Sequence, residues 1–330
     1  MSKQECVLKK TSIGGQALIE GVMMRGPERT AMAVRHISGE IRMEEWETPK
    51  SKLPAICKWP FIRGLFGMID SLRFGYKCLM RSAELSGIEE ELETALDEEQ
   101  AAKKSEDTAE KATDNKKKAS ALMNIVMVVG MVLGVALSLV LFMWLPIQLF
   151  NWLTLAFPAL EEMDTLRGIF EGLVRILVFL IYMLAVSRMK DIRRTFQYHG
   201  AEHKSIFCYE KGLPLTVENV RAQKRFHPRC GTSFMVLMLV VGIVISILIP
   251  IKTPILRTVI KLALLPLTVG IGYELIKLAG RCDNWFTRAI SAPGVWMQHI
   301  TTQEPDDEMI ECAIKALEAV IPADPEADKW

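Results

Sequence analysis

The sequence predicts a mainly α, polytopic membrane protein with about four transmembrane helices, an amphipathic or membrane-associated helix, and a small β-rich N-terminal unit. Three observations predict it. Half of the 330 residues are hydrophobic while 24% are charged, a combination produced when long apolar runs are joined to polar segments. Stretches of about 20 residues with few charges, long enough to cross a ~30 Å hydrocarbon core, occur at 121–145, 168–186, 233–250 and 256–278. Basic residues then mark one side of these stretches: Lys116, Lys117 and Lys118 precede the first, and Arg188, Lys190, Arg193 and Arg194 follow the second.

By the positive-inside rule those flanks face the cytoplasm, which places both termini there and makes the expected location a bacterial inner (plasma) membrane. The acidic segment with Glu161, Glu162 and Asp164, and the short turn at 251–254, are then external. The start, MSKQECVLKKTSIGGQ, lacks the apolar run of a secretory signal, so the N-terminus is expected to stay inside. All seven cysteines and all five histidines fall on the predicted cytoplasmic side, where thiols remain reduced and available to metals. Lys+Arg 40 against Asp+Glu 39 leaves no global field for nucleic acid. The expected partners are the lipid bilayer and proteins at the cytoplasmic face.

The chain divides into a β-rich cytoplasmic unit (1–58), an amphipathic or membrane-embedded helix (59–88), a charged linker (89–120), a four-span membrane domain (121–282) with a cytoplasmic loop (187–232), and a C-terminal tail with a helix (283–330). In the first unit, apolar runs are broken by Arg25-Gly26-Pro27 and Ser38-Gly39, with alternation at 31–36 and 40–46, as in a hairpin. Gly14, Gly15 and Gly21 match no phosphate-binding fingerprint and read as turn glycines around a strand. The second unit has Gly64, Gly67, Ser71 and Gly75 at spacings of three and four, which lets another helix backbone come close. Arg63-Gly64-Leu65-Phe66 recurs as Arg167-Gly168-Ile169-Phe170, too short a match to establish a repeat. The linker is nearly devoid of apolar residues and reads as solvated helix or disordered chain.

Charged groups inside the apolar stretches carry expectations of their own. Glu171 and Arg175 are spaced to pair at i, i+4, and Arg257 and Lys261 lie near the start of the fourth span. Glu274 is costly in a membrane and so a candidate site, or is neutralised by Lys277. Cys282-Asp283 follows on the same side and could complete a metal shell, though a lone cysteine is more often packing.

The residues that can carry chemistry lie in the 187–232 loop. His199 and His203 at i, i+4 project from one face of a helix and can chelate one ion, with Glu202 beside them as a general base. His199-x-x-Glu202-His203 has the order H-x-x-E-H. His227 and Cys230 add an imidazole and a thiolate three residues apart, completing a four-ligand set for zinc or another divalent transition metal. Four ligands on one zinc make a closed structural site, whereas three ligands with Glu202 free make a hydrolytic centre; the spacing leaves both open. A third reading has the histidines capping helices and binding lipid head groups beside Lys204, Arg225 and Arg229.

Four separated blocks, Gly14-Gly-Gln-Ala-Leu-Ile-Glu-Gly-Val-Met-Met-Arg-Gly-Pro27, Tyr198-His-Gly-Ala-Glu-His-Lys204, Phe226-His-Pro-Arg-Cys-Gly-Thr-Ser233 and Thr301-Thr-Gln-Glu-Pro305, resemble the bacterial YqhQ family of uncharacterised membrane proteins. The resemblance implies a metal-dependent enzyme, with His199, Glu202, His203, His227 and Cys230 as the residues concerned. The leading expectation is an integral-membrane metalloprotein, a metal-dependent hydrolase with Glu202 as general base and His199, His203, His227 and Cys230 as ligands. The alternative is a non-catalytic scaffold, transport or membrane-protein-biogenesis factor in which a metal staples the cytoplasmic part.

Overall fold

A computed structural model describes residues 10–48, 59–88, 129–249, 251, 253–281, 284–324 and 326–329. The linker at 89–120, the start of the first expected span at 121–128, and Cys282-Asp283 lie outside them. The chain forms two compact units, one of 1–89, 182–241 and 265–330, the other of 90–181 and 242–264.

The first unit is built on a four-stranded antiparallel meander, β1 (Gly14–Leu18), β2 (Gly21–Arg25), β3 (Arg29–Arg35) and β4 (Ile41–Glu47), in the order β1-β2-β3-β4. Alternation along β2 and β3 sends successive side chains to opposite faces. Val22, Met24, Ala31 and Ala33 therefore bury on one side with Tyr198, Ala201, Met309, Ile310 and Leu317. Met23, Met32 and Val34 bury on the other with Leu18 and Cys78. The predicted hairpin closes where Gly39 takes φ 87, a left-handed conformation open to glycine at little cost.

Against the second face packs α1 (Ile62–Ser86), whose Trp46–Phe74 contact sets the rings edge to face, 6.0 Å apart. The glycine spacing foreseen for this helix works as a helix–helix close-approach surface at Gly64, while Gly75 makes room for the Gln16 side chain of β1. A Cβ on Gly64 would lie 2.6 Å from the Tyr273 Cβ, while one on Gly67 would meet nothing nearer than 3.8 Å. Arg63 clamps the same junction through Nε to Glu274 Oε1 at 2.7 Å and a second bond from its Nη2. Glu274 is thus held by Arg63, and the carboxylate reads as part of a helix–helix clamp.

The remaining helices follow in order: α2 (Val129–Ala156), α3 (Asp164–Val186), α4 (Lys190–Glu210), α5 (Val217–Arg221), α6 (Gly231–Ile247), α7 (Pro254–Ala263), α8 (Leu265–Arg281), α9 (Trp285–Thr301) and α10 (Asp307–Glu318). Two of them, α2 with 28 residues and α3 with 23, are long and apolar enough to cross a membrane. Their large apolar side chains, among them Leu133, Leu137, Leu173, Leu177 and Ile181, stay exposed, as lipid-facing residues do. The fourth expected span is broken: α7 and α8 meet at a 48° bend. Pro266 lacks an N–H and its ring crowds the preceding turn, which explains the break at that point. Taken as one span, the pair is the third candidate. The third expected stretch is the 17-residue α6, about 25 Å long at 1.5 Å per residue and short of the hydrocarbon thickness. The described residues therefore carry two helices long and apolar enough to span a membrane, or three with the bent pair, where the sequence led to about four spans.

In the second unit α3 approaches the C-terminal half of α6 through two glycines one turn apart. A Cβ on Gly168 would sit 2.8 Å from the Ile247 Cα, and one on Gly172 would sit 2.6 Å from the Ile243 side chain. Glu171, between them, does not pair with Arg175. Its Oε2 accepts from Arg257 Nε at 3.1 Å and Lys261 Nζ at 2.5 Å, because α7 brings both cations to the buried carboxylate.

Overpacking a tight helix junction costs about 1–3 kcal/mol. Gly64→Ala is expected to lower the thermal unfolding midpoint in detergent by several degrees, whereas Gly67→Ala, uncrowded and mid-helix, leaves it unchanged or raises it slightly. Equal midpoints for the two variants would count against a close α1–α8 contact at Gly64.

Candidate metal centre

Eleven residues of α4, beginning at Tyr198, are buried although the helix carries many polar groups. The sequence folds this way because its apolar positions Tyr198, Ala201, Ile206 and Cys208 enter the core beneath the sheet. The same turns carry His199, Glu202 and His203 inward, each at most 8% exposed.

Gly200 lies in the middle of this helix. A Cβ there would fall 2.1 Å from the Gln303 carbonyl oxygen, so the strand-like segment after α9 can cross the helix only over a glycine. That crossing is fixed by Gln303 N–H donating to the Phe196 carbonyl at 2.8 Å and by the Glu304 carboxylate pairing with Lys204 and Arg225, both at 2.7 Å.

The crossing delivers one histidine partner. His199 Nδ1 bonds the Thr301 carbonyl at 2.8 Å. A carbonyl can only accept, so this nitrogen carries the proton. His203 Nδ1 bonds the Arg225 carbonyl at 2.5 Å, with the same consequence. Both rings therefore present Nε2, and His199 Nε2 is 3.1 Å from Cys230 Sγ. The two imidazole rings lie edge to face with centroids 4.4 Å apart. One ligand atom from each of His199, His203 and Cys230 lies within 4.8 Å of the others.

Burial disfavours charge on all of these groups, and their mutual attraction opposes it. His199 is pushed down by burial but more strongly up by the Cys230 sulfur and the Glu202 carboxylate, to about 9. Burial raises the Cys230 thiol, yet both imidazoles outweigh it and hold it well below an ordinary thiol. Glu202 is raised by burial against the pull of His203 and His199, and it accepts the Gly15 N–H. It flanks the cluster on the same helix face without joining the three-atom group.

His227 goes elsewhere. Its Nδ1 accepts the Arg229 N–H at 3.3 Å, and its Nε2 lies 3.8 Å from Glu210 Oε2. Its ring packs on Phe207 at 4.7 Å and faces His203 at 5.5 Å. Glu210 also accepts from Thr11 N–H at 2.9 Å and from Arg229, which hold it below the usual carboxylate range despite its burial. Burial lowers His227. Of the residues singled out from sequence, His199, His203 and Cys230 converge, Glu202 adjoins them, and His227 belongs to a neighbouring carboxylate network.

Three further groups shape the site, two of them without a sequence signal. Gln298 accepts the His227 N–H on Oε1 at 2.6 Å and donates from Nε2 to the His227 carbonyl at 2.7 Å and to Ser233 Oγ at 3.1 Å, pinning the loop that carries Cys230. The Thr301 and Arg225 carbonyls belong to the backbone, and no side-chain pattern announces them. Only the Thr301–Pro305 block, a polar run between two helices, hinted at a role.

A family model described as "Protein of unknown function (DUF1385)" matches residues 59–323. The "Uncharacterized protein YqhQ" of Bacillus subtilis (strain 168) is 33% identical over 313 residues, covering 93% of this chain and 92% of that protein. No solved structure matches. With most of its length aligned to both, the chain belongs to the DUF1385 family, the family of unknown function to which the resemblance in its four sequence blocks pointed.

Proposed function

We propose that His199, His203 and Cys230 hold a divalent transition metal, zinc or a chemically similar ion, in a hydrolytic site of an integral membrane protein. The observation that carries this reading is the matched orientation of two buried imidazoles. Each spends its Nδ1–H on a backbone carbonyl and turns Nε2 toward the cluster, the outer-shell arrangement that fixes the tautomer and ring angle of metal-ligating histidines. Ligand atoms within 4.8 Å of one another need only a small inward shift to close on a tetrahedral ion with bonds of about 2.0–2.3 Å. A thiolate favoured by its neighbours is the form that ligates.

Three protein ligands leave one position open, the donor count of catalytic zinc sites. An ion there supplies Lewis-acid polarisation of a substrate carbonyl or phosphoryl oxygen. Glu202, whose carboxyl holds its proton to higher pH than an exposed one, takes and returns a proton beside it. His227 and Glu210 position the Cys230 loop. The apolar helices α2 and α3 and the basic residues after α3 support a site at the cytoplasmic leaflet of a bacterial inner membrane, with the bilayer and proteins of that face as partners.

A second reading has one specific observation in its favour. The three ligands come from α4 and from the loop before α6, and α9 and the 301–305 segment fasten them, so a metal there would also staple distant segments without catalysis. Elemental analysis of detergent-purified protein, followed by Glu202→Gln, separates the two. About one equivalent of metal is expected in the wild type and none in the His199→Ala, His203→Ala double variant. Glu202→Gln should keep the metal and fall about a hundredfold or more on whichever chromogenic ester or phosphoester the wild type cleaves. Metal-free wild-type protein from chelator-free purification would end both versions.

Thiol chemistry gives an independent check. Burial raises Cys78 and Cys312 to about 11 and also raises Cys208, while Cys230 is lowered. After chelation at pH 7, iodoacetamide should modify Cys230 first of these four, by peptide mass mapping. His199→Ala should move the midpoint of its alkylation to higher pH. An unchanged midpoint would remove His199 as the cause of the activated thiol.

A further inference from the structure

The second unit buries more positive charge than its carboxylate answers. Arg175, Arg257 and Lys261 are each at least nine-tenths buried, as is Glu171. Arg175 lies within electrostatic reach of Glu171, Arg257 and Lys261. Arg175 is about 16 Å along α3, near the middle of a helix about 34 Å long, where an unanswered cation is costly. Arg167, also buried, sits two turns earlier, over the Phe150 ring at 4.7 Å and bonded to Asn151 at 3.1 Å.

These cations differ in how fully they are used. Arg257 is spent on structure: beyond Glu171, it caps the end of α6 through the Ser246, Ile249 and Ile251 carbonyls at 3.0, 2.5 and 2.8 Å. Lys261 is spent on Glu171. Arg175 is not. Its Nε donates to the Phe142 carbonyl at 2.8 Å, inside a π-helical turn at Val140–Trp144, a feature common at functional sites. Among the described residues, its Nη2 is buried with no hydrogen-bond partner. Glu171 Oε1, in the same cluster, is likewise buried without a partner among them. Gly242 adds no side chain there, and the nearest atom to its would-be Cβ is Arg175 Nη1 at 4.0 Å.

We propose that this cluster is a binding site for a phosphate that can carry a proton, either the monoester phosphate of a lipid head group or free inorganic phosphate. The missing partners specify the chemistry. Arg175 lacks an anionic acceptor, and a guanidinium matches phosphate oxygens. Glu171 Oε1 lacks a donor, which a singly protonated phosphate provides and a phosphodiester does not. The charge agrees in sign, since Arg175, Arg257 and Lys261 around the one carboxylate of Glu171 leave an excess of positive charge that a singly protonated, singly charged monoester reduces.

The test uses the full-length protein in nonionic detergent and follows thermal unfolding by tryptophan fluorescence. Sodium phosphate is titrated against sodium chloride at equal ionic strength. Phosphatidic acid in mixed micelles is titrated against phosphatidylglycerol and phosphatidylcholine. A saturable rise of at least 3 °C with phosphate, with phosphatidic acid, or with both is expected, and the probe that produces it identifies the source. Phosphatidylglycerol should give a smaller shift, and Arg175→Gln should weaken the apparent affinity at least tenfold with the metal content unchanged. Should Arg175→Gln fail to fold, Arg175→Lys retains the charge but not the fork and should weaken binding severalfold. No saturable shift with either phosphate or phosphatidic acid, as when water alone fills the cluster, overturns the proposal. So do shifts that are the same in wild type and both variants.

Discussion

The passage of the Gln303 backbone over Gly200 is the constraint on which the first unit depends. A mid-helix glycine costs about 1 kcal/mol relative to alanine, and here the cost is offset by what the crossing delivers. With the carbonyl 2.1 Å from where a Cβ would stand, the 301–305 segment lies close enough for Thr301 to orient His199 and for Glu304 to pair with Lys204 and Arg225. Arg225, held from that side, offers its own carbonyl to His203. The two imidazoles are thus oriented by a single chain crossing, one directly and one through a salt bridge. A side chain at position 200 would push the segment away and disturb both orientations.

Two buried polar systems then divide the available histidines. One gathers His199, His203 and Cys230 beside Glu202; the other gathers Glu210, Arg229 and His227 with the Thr11 amide. Their separation has an electrostatic reason. Glu210 is buried, and an ionised carboxylate there requires donors, which Arg229 and Thr11 supply, with the His227 ring close by at 3.8 Å. Releasing His227 to a metal would leave Glu210 with fewer partners in a low-dielectric site, a penalty of the kind that unpaired buried charges carry. The thiolate of Cys230 has the opposite need and finds it in the other two imidazoles. The i, i+3 spacing of His227 and Cys230 brings them into one loop, but the partners on either side of that loop pull them apart.

Much of this was legible in the sequence, and the failures have physical causes. Alternation at 31–36 and 40–46 marked strands that the structure contains, and the i, i+4 pair His199/His203 marked a helix face that does turn inward. Hydropathy found α2 and α3, because apolar length is a property of composition. It could not register that α6 stops at 17 residues or that Pro266 breaks the last stretch into α7 and α8. The pairing of Glu171 with Arg175 was inferred from local spacing, and lost to Arg257 and Lys261, which are 86 and 90 residues away in sequence. Glu274 similarly takes its hydrogen bonds from Arg63 on another helix, with Lys277 on its own helix adding only a lesser electrostatic contribution. Local rules describe an isolated helix, and a buried carboxylate takes whichever donors the tertiary fold brings to it.

The repeated Arg-Gly-aromatic-containing tetrads at 63–66 and 167–170 show how one local solution serves different ends. In both, the glycine admits a close neighbour, Tyr273 at Gly64 and Ile247 at Gly168. The arginine preceding Gly64 closes on a carboxylate and ends as a clamp. The arginine preceding Gly168 instead stacks on Phe150 and opens a helix face that buries further cations. In an apolar helix that difference decides role. Arg257, with carbonyls and a carboxylate on every side, stabilises the chain that surrounds it and has little left to offer a ligand. A cation whose donor remains unmet at the same depth gives no such return, so its retention there is better explained by something it binds than by the fold it belongs to.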